Sequence, residues 1–116
     1  MTSSKAVQER RRHRRIPRAK ELAIFAYSDA RERPALARGR LIDISAGGAG
    51  IRAKEPPPTG AIGELRVQFI GFQLACEAKV VRSWNDGFAV EFADIESHIQ
   101  TTIDALPAEP DDGAHA

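Results

Sequence analysis

The chain reads as a small all-β domain, closed into a barrel, with one helix after the last strand. Three features predict this. Apolar and polar residues alternate in short runs separated by glycine- and proline-bearing turns; Asn85-Asp86-Gly87 is a hairpin signal; and from Asp94 the apolar spacing changes from two residues to four. Short strands at regular spacing favour closure, because a closed barrel leaves no exposed edge. The alternation implies four to six antiparallel strands.

In chain order, Glu21 to Tyr27 sets Leu22, Ile24 and Ala26 on one face and Ala23, Phe25 and Tyr27 on the other. That is a strand buried on one side and partly covered on the other. Residues 28 to 34 are polar, end in Pro34 and read as a turn, Gly39 to Ile44 as a second strand, and Ser45 to Gly50 as a glycine-rich break before Ile51 to Lys54. Pro56-Pro57-Pro58 marks a stiff loop, since proline supplies no ladder donor. In Glu64 to Phe69, Leu65, Val67 and Phe69 point inward while Glu64, Arg66 and Gln68 point outward. Gly71 breaks the run; Phe72, Leu74, Cys76, Ala78 and Val80 resume it, and Phe88, Val90 and Phe92 follow the hairpin. Asp94 is a candidate N-cap for a helix carrying Ile95, Ile99 and Ile103, ended by Pro107.

The 116 residues fit one domain, and 42% hydrophobic with 28% charged residues is an ordinary globular composition. A net charge of +1 conceals an asymmetry. Residues 1 to 20 hold eight basic groups and one acid, net +7, while the remainder is net −6. Six arginines fall between Arg10 and Arg18, a run suited to an anionic partner. Cys76 is the single cysteine, which excludes an intrachain disulfide framework and fits a reducing compartment. No apolar run is long enough to span a bilayer and none opens the chain as a secretory signal, so the reading is cytoplasmic, with no membrane insertion.

Catalytic patterns are missing from the sequence. His13, His98 and His115 are scattered, and no metal-ligand spacing or nucleophile-and-base pattern is present, so the expectation is a binding module that is not an enzyme and carries no cofactor. Two features could build its site. Guanidinium groups in the arginine run offer paired donors to phosphate oxygens and to the O6/N7 edge of guanine, and flat faces for stacking. Asp43-Ile-Ser45-Ala-Gly-Gly48 ends a strand with Asp43 and Ser45 on one face and glycines beyond, so a carboxylate there accepts from guanine N–H groups or holds an arginine. Taken singly, such a run is most often a nonspecific polyanion arm or a solvated tail, and Asp-x-Ser at a strand end is most often a turn capping its own backbone.

Together, Arg11-x-x-x-Arg15 and, about thirty residues on, Asp43-x-Ser45-x-x-Gly48 resemble the paired RxxxR and [D/N]xSxxG signature of PilZ domains, bacterial receptors for cyclic di-GMP. Glu9-Arg-Arg-Arg before the first motif, Ile16-Pro17 after it, Gly47-Gly48-Ala49 and Val90-x-Phe92 fit as well, so the resemblance spans residues 9 to about 103. It implies a six-stranded antiparallel β-barrel and a ligand, cyclic di-GMP, bound on the barrel surface. By that analogy Arg11 and Arg15 grip guanine edges and phosphates, Asp43, Ser45 and Gly48 receive the other face of the guanine, and Arg10 and Arg14 are auxiliary candidates. Gly50, where a larger residue often follows Gly-Gly-Ala, departs from the pattern, and Trp84 is left outside the site.

The resulting expectation is a flexible basic arm over residues 1–18, a barrel with its helix over 19–106 and a disordered acidic tail over 107–116. Ligand compensates the arm's charges, the arm docks, and a protein partner reads the changed surface. Two rivals stand beside it: nonspecific nucleic-acid binding by the arm, and a PilZ-like scaffold that contacts proteins without nucleotide. No specific DNA or RNA is expected.

Overall fold

A computed structural model describes residues 15–93 and 97–106, without the side chains of residues 97–99. The alternation becomes seven strands: β1 (Ile16–Pro17), β2 (Leu22–Ser28), β3 (Pro34–Ser45), β4 (Gly48–Ala53), β5 (Ile62–Phe69), β6 (Phe72–Trp84) and β7 (Gly87–Phe92). Among the described residues one helix, α1 (Ser97–Asp104), follows. All pairings are antiparallel. Ring order β3-β2-β5-β6-β7-β4 returns to β3 through the β3–β4 ladder, so six strands close a barrel and β1 adds itself to β3.

Where both faces of a strand are apolar, closure decides which turns inward. In β2 that face is Ala23 and Phe25, both buried, while Leu22 and Ile24 face solvent. Leu65, Val67 and Phe69 are buried on β5 as their alternation requires, and Leu41, Ile44, Ile51, Val80 and Phe88 complete the interior. Ile103 of α1 is buried with them. Asp94, Ile95 and Pro107 lie outside the described residues, as does the tail over 107–116.

Turn chemistry fixes the registers. Gly71, at φ +89, takes the left-handed position between Phe69 and Phe72, which pair across the hairpin with rings stacked at 4.8 Å. Asn85 and Asp86 connect β6 to β7 in the hairpin read from the sequence. The Asp29 carboxylate accepts N–H groups of Arg31 and Arg33 at 2.8 and 2.9 Å, so the connection after β2 is only five residues, and β3 starts at Pro34 rather than Gly39. Proline is tolerated as the first residue of a strand.

Ser45 to Gly50 is not a break. Only Ala46 and Gly47 form a turn; Gly48, Ala49 and Gly50 are strand residues between β3 and β7. A methyl group at Gly48 would stand 2.2 Å from the Val90 carbonyl oxygen, so the glycine lets two backbones pass closely.

Candidate functional site

Register places the site. Pro17 pairs with Asp43 and Ile16, fully buried, with Ile44, so the last residues of the basic arm are already part of the sheet. The Arg18 N–H donates to the Ile42 carbonyl at 2.8 Å. Arg15 is thereby carried over the end of β3, and its Nη1 donates to Asp43 Oδ1 at 3.0 Å across 28 residues of sequence. Both partners keep water contact, with side chains 62% and 29% exposed.

Asp43 is held from below. Its Oδ1 also accepts the Gly50 N–H at 3.1 Å, and a methyl group at Gly50 would sit 3.1 Å from the same oxygen. The glycine that departs from the family pattern leaves room for the carboxylate and supplies the donor that orients it. A bulge in the β3–β4 ladder between Leu41 and Asp43 brings Asp43 opposite Gly50. Two residues on, Ser45 is buried and its Oγ accepts the Gly47 N–H at 3.2 Å, shaping the turn back to Gly48. The Gly47 carbonyl accepts the Phe92 N–H at 2.9 Å, which pins that turn to β7.

Arg15, Asp43, Ser45 and Gly48 thus meet at one end of the β3–β4 hairpin. Gly48 serves the fit between strands, since the direction a side chain would take from it leads to Val90. Arg10, Arg11 and Arg14 lie outside the described residues.

Arg18 does not behave as one more member of the charged run. Its side chain is only 11% exposed, and its guanidinium bonds through Nε to Glu21 Oε2 at 3.0 Å and through Nη2 to the same oxygen and lies 5.8 Å from the centre of the Phe69 ring. Burial of Glu21 opposes its ionisation, but the Arg18 hydrogen bond and charge, aided by backbone donors, outweigh that and hold its carboxyl below the usual range. Glu21 Oε1 is buried without a partner among the described residues. The sequence signal was available: an acid three residues after the last arginine of the run.

Trp84 belongs to another part of the barrel. It pairs with Gly87, itself opposite Arg52, and the Arg82 guanidinium lies 5.3 Å from its ring centre. Burial and the nearby Glu64 push the Cys76 thiol up to about 11, which leaves it protonated at neutral pH. Among the described residues no cluster of histidine, cysteine and carboxylate groups could hold a metal, and no helix is long and apolar enough to cross a membrane.

A sequence model described as the PilZ domain matches residues 9–108. The fold is similar to the PilZ domain of CeSA from a cellulose-synthesizing bacterium, at TM-score 0.57 and 21% identity over 78% of this chain and 89% of that one. It is also similar to YcgR of Escherichia coli in complex with c-di-GMP, at TM-score 0.62 and 19% identity, covering 81% of this chain and 42% of the longer structure. The PilZ domain of YcgR with c-di-GMP gives TM-score 0.62 at 17% identity, over 81% and 86% of the two chains. Among curated proteins nothing matches.

Proposed function

This chain belongs to the PilZ domain family, and from that premise we propose that it is a non-catalytic, cytoplasmic receptor that binds cyclic di-GMP over Asp43 and signals to a protein partner. One observation carries the reading: Arg15 and Asp43, one from each sequence motif, meet at 3.0 Å on the barrel surface. Two of the structures similar to this chain are YcgR structures with c-di-GMP, which supports the choice of ligand.

Guanine carries complementary chemistry on two edges: N–H donors that suit the Asp43 carboxylate, and O6/N7 acceptors that suit an arginine fork. Phosphates between the two guanines attract the remaining guanidiniums. An exposed ion pair contributes only about 0–1 kcal/mol, so exchanging the Arg15–Asp43 contact for contacts to a dianion costs little. Arg11 joins Arg15 on the ligand, with Arg10 and Arg14 as auxiliary phosphate contacts, while Ser45 and Gly48 keep the turn beneath it in shape. Of the arm over residues 1–18, the part up to Arg15 is the switch, and its ordering on ligand changes the surface that a partner meets, while Ile16 to Arg18 form its fixed root. Residues 107–116 act as a tail outside that switch.

Titration calorimetry tests this. Cyclic di-GMP at micromolar concentrations should release heat with the full chain, and the joint change Arg11→Ala and Arg15→Ala should remove it. Binding that survives both changes sinks the assignment. A steep salt dependence with equal affinity for single-stranded RNA would instead identify a nonspecific polyanion arm.

A further inference from the structure

On the outer face of β2, β3 and β4 the barrel carries a groove of about 600 Å³ that the nucleotide reading does not use. Leu22 and Leu36, 55% and 54% exposed, stand on it, and Arg38, Arg40, Arg52 and Lys54 line it. The ladder explains the composition. Leu22 lies opposite Arg40, Ile24 opposite Arg38, Leu36 opposite Ala26 and Arg40 opposite Arg52, so one surface alternates aliphatic and cationic groups.

Each acid at the groove leaves cationic charge over. Asp86 meets Arg52 at 3.7 Å, both partners well exposed, and Glu55 is the other acid on the lining. Arg38 and Lys54 have no ion pair among the described residues, and Arg40 gives its Nη1 to the Lys20 carbonyl at 2.7 Å, which leaves its charge uncompensated. The body is net acidic, so this local excess of cations runs against the background. Exposed leucines beside unpaired cations match a segment that presents aliphatic side chains and carboxylates together.

We infer that this groove docks an acidic, leucine-bearing segment of a partner protein. Its concavity suits a chain segment better than a flat bilayer surface. Leu22 and Leu36 are offset by four residues along the β2–β3 ladder, about 13 Å. Leucines at i and i+4 of an extended segment span the same distance, with carboxylates between them reaching Arg38 and Arg40. The Lys20 carbonyl held by Arg40 lies at the root of the basic arm, so the groove is joined to the segment that carries Arg15. As the partner surface of a receptor the inference rests on the nucleotide reading; as a binding site it does not.

The test uses the full isotope-labelled chain, without nucleotide, titrated with a synthetic peptide that sets leucines at i and i+4 around an aspartate at i+2, with serines at the intervening positions, and followed by backbone amide NMR. Shifts should concentrate at Leu22, Leu36, Arg38, Arg40, Arg52 and Lys54. The exposed double change Leu22→Ser with Leu36→Ser should weaken binding roughly tenfold or more, and Arg38→Glu with Lys54→Glu should do the same. A leucine–lysine peptide and a serine–aspartate peptide should each bind far more weakly. Shifts confined to residues before Arg15, equal binding of the lysine peptide, or no shifts at all would overturn the inference. So would capture by phosphatidylglycerol vesicles, lost on the same leucine changes, without peptide binding; that result would make the face a membrane contact. None of these outcomes touches Asp43, so a failure here leaves calorimetry with cyclic di-GMP to judge the nucleotide reading by itself.

Discussion

Arg15 and Arg18 stand three residues apart in one basic run, and each faces a carboxylate, yet their surroundings are opposite. Arg15 meets Asp43 with side chains 62% and 29% exposed; Arg18 meets Glu21 with 11% and 8%. The first pair is screened by water and salt, so it can open for a competing anion at small cost. Opening the second would leave a charge in a dry place. The proposed switch would use both: a contact that releases, and a root that does not. Between them, β1 pairs with β3 and buries Ile16, so the division falls within about one turn of chain.

The strongest way to break this contrast is Arg18→Ala. It leaves Glu21 buried and ionised without its cation, and truncating one partner of a buried pair costs about 3–5 kcal/mol. Urea denaturation should show that loss, whereas the joint replacement Arg18→Met and Glu21→Met should recover most of it, because the desolvated charges go together. If Arg18→Ala unfolds no more easily than the parent, Arg18 is not an anchor.

Acid separates the pairs more gently. With the folded-state carboxyl of Glu21 held below its unfolded value, the stability it contributes is present above the ordinary glutamate range near ~4.3. It is lost as pH falls through the lower folded value. Denaturation midpoints should therefore fall in acid, by less than Arg18→Ala removes, and the fall should be reduced in the Glu21→Gln variant. An unchanged acid limb in that variant would place the sensitivity elsewhere.

Most of the barrel was legible because alternation with one apolar face has a single solution: Leu65, Val67 and Phe69 went inward as written. In β2 both faces are apolar, and only closure showed that Phe25 is core while Leu22 is surface, which is why the groove could not be foreseen. The glycines from Gly47 to Gly50 read as a break because a glycine needed for a neighbour's carbonyl looks the same in sequence as one needed for a turn. Arg18 was hidden by its company. Among six arginines nothing local marks the one that will be buried except Glu21, and Phe69, the ring beneath it, comes 51 positions later. Of the candidate site, Arg15 and Asp43 were named from their motifs, and the register of β1 on β3 supplied the missing distance between them, while Arg11 lies outside the described residues.

Gly50→Ala sharpens the releasable side. A methyl group 3.1 Å from Asp43 Oδ1 must push the carboxylate or the strand by a few tenths of an ångström, while the Gly50 N–H that orients it stays in place. Affinity for cyclic di-GMP should drop several-fold with a stability change of about 1 kcal/mol or less. Unchanged affinity would mean that the position of Asp43 is not critical to the ligand.

The smallest expected effect tests the comparison most directly. A double-mutant cycle on Arg15→Ala and Asp43→Ala, read by urea denaturation, should give a coupling of about 0.2–1 kcal/mol that shrinks further in high salt, as exposed pairs do. The same cycle on Arg18 and Glu21 should give several times that value and keep most of it in salt, since a largely buried pair is screened far less than an exposed one. Asp43→Ala also leaves the Gly50 N–H without its acceptor, so its single-variant loss should exceed that of Arg15→Ala even though the coupling is small. Equal coupling at the two pairs would remove the distinction between latch and anchor, and with it the reason for placing the moving part of the arm at Arg15 rather than at Arg18.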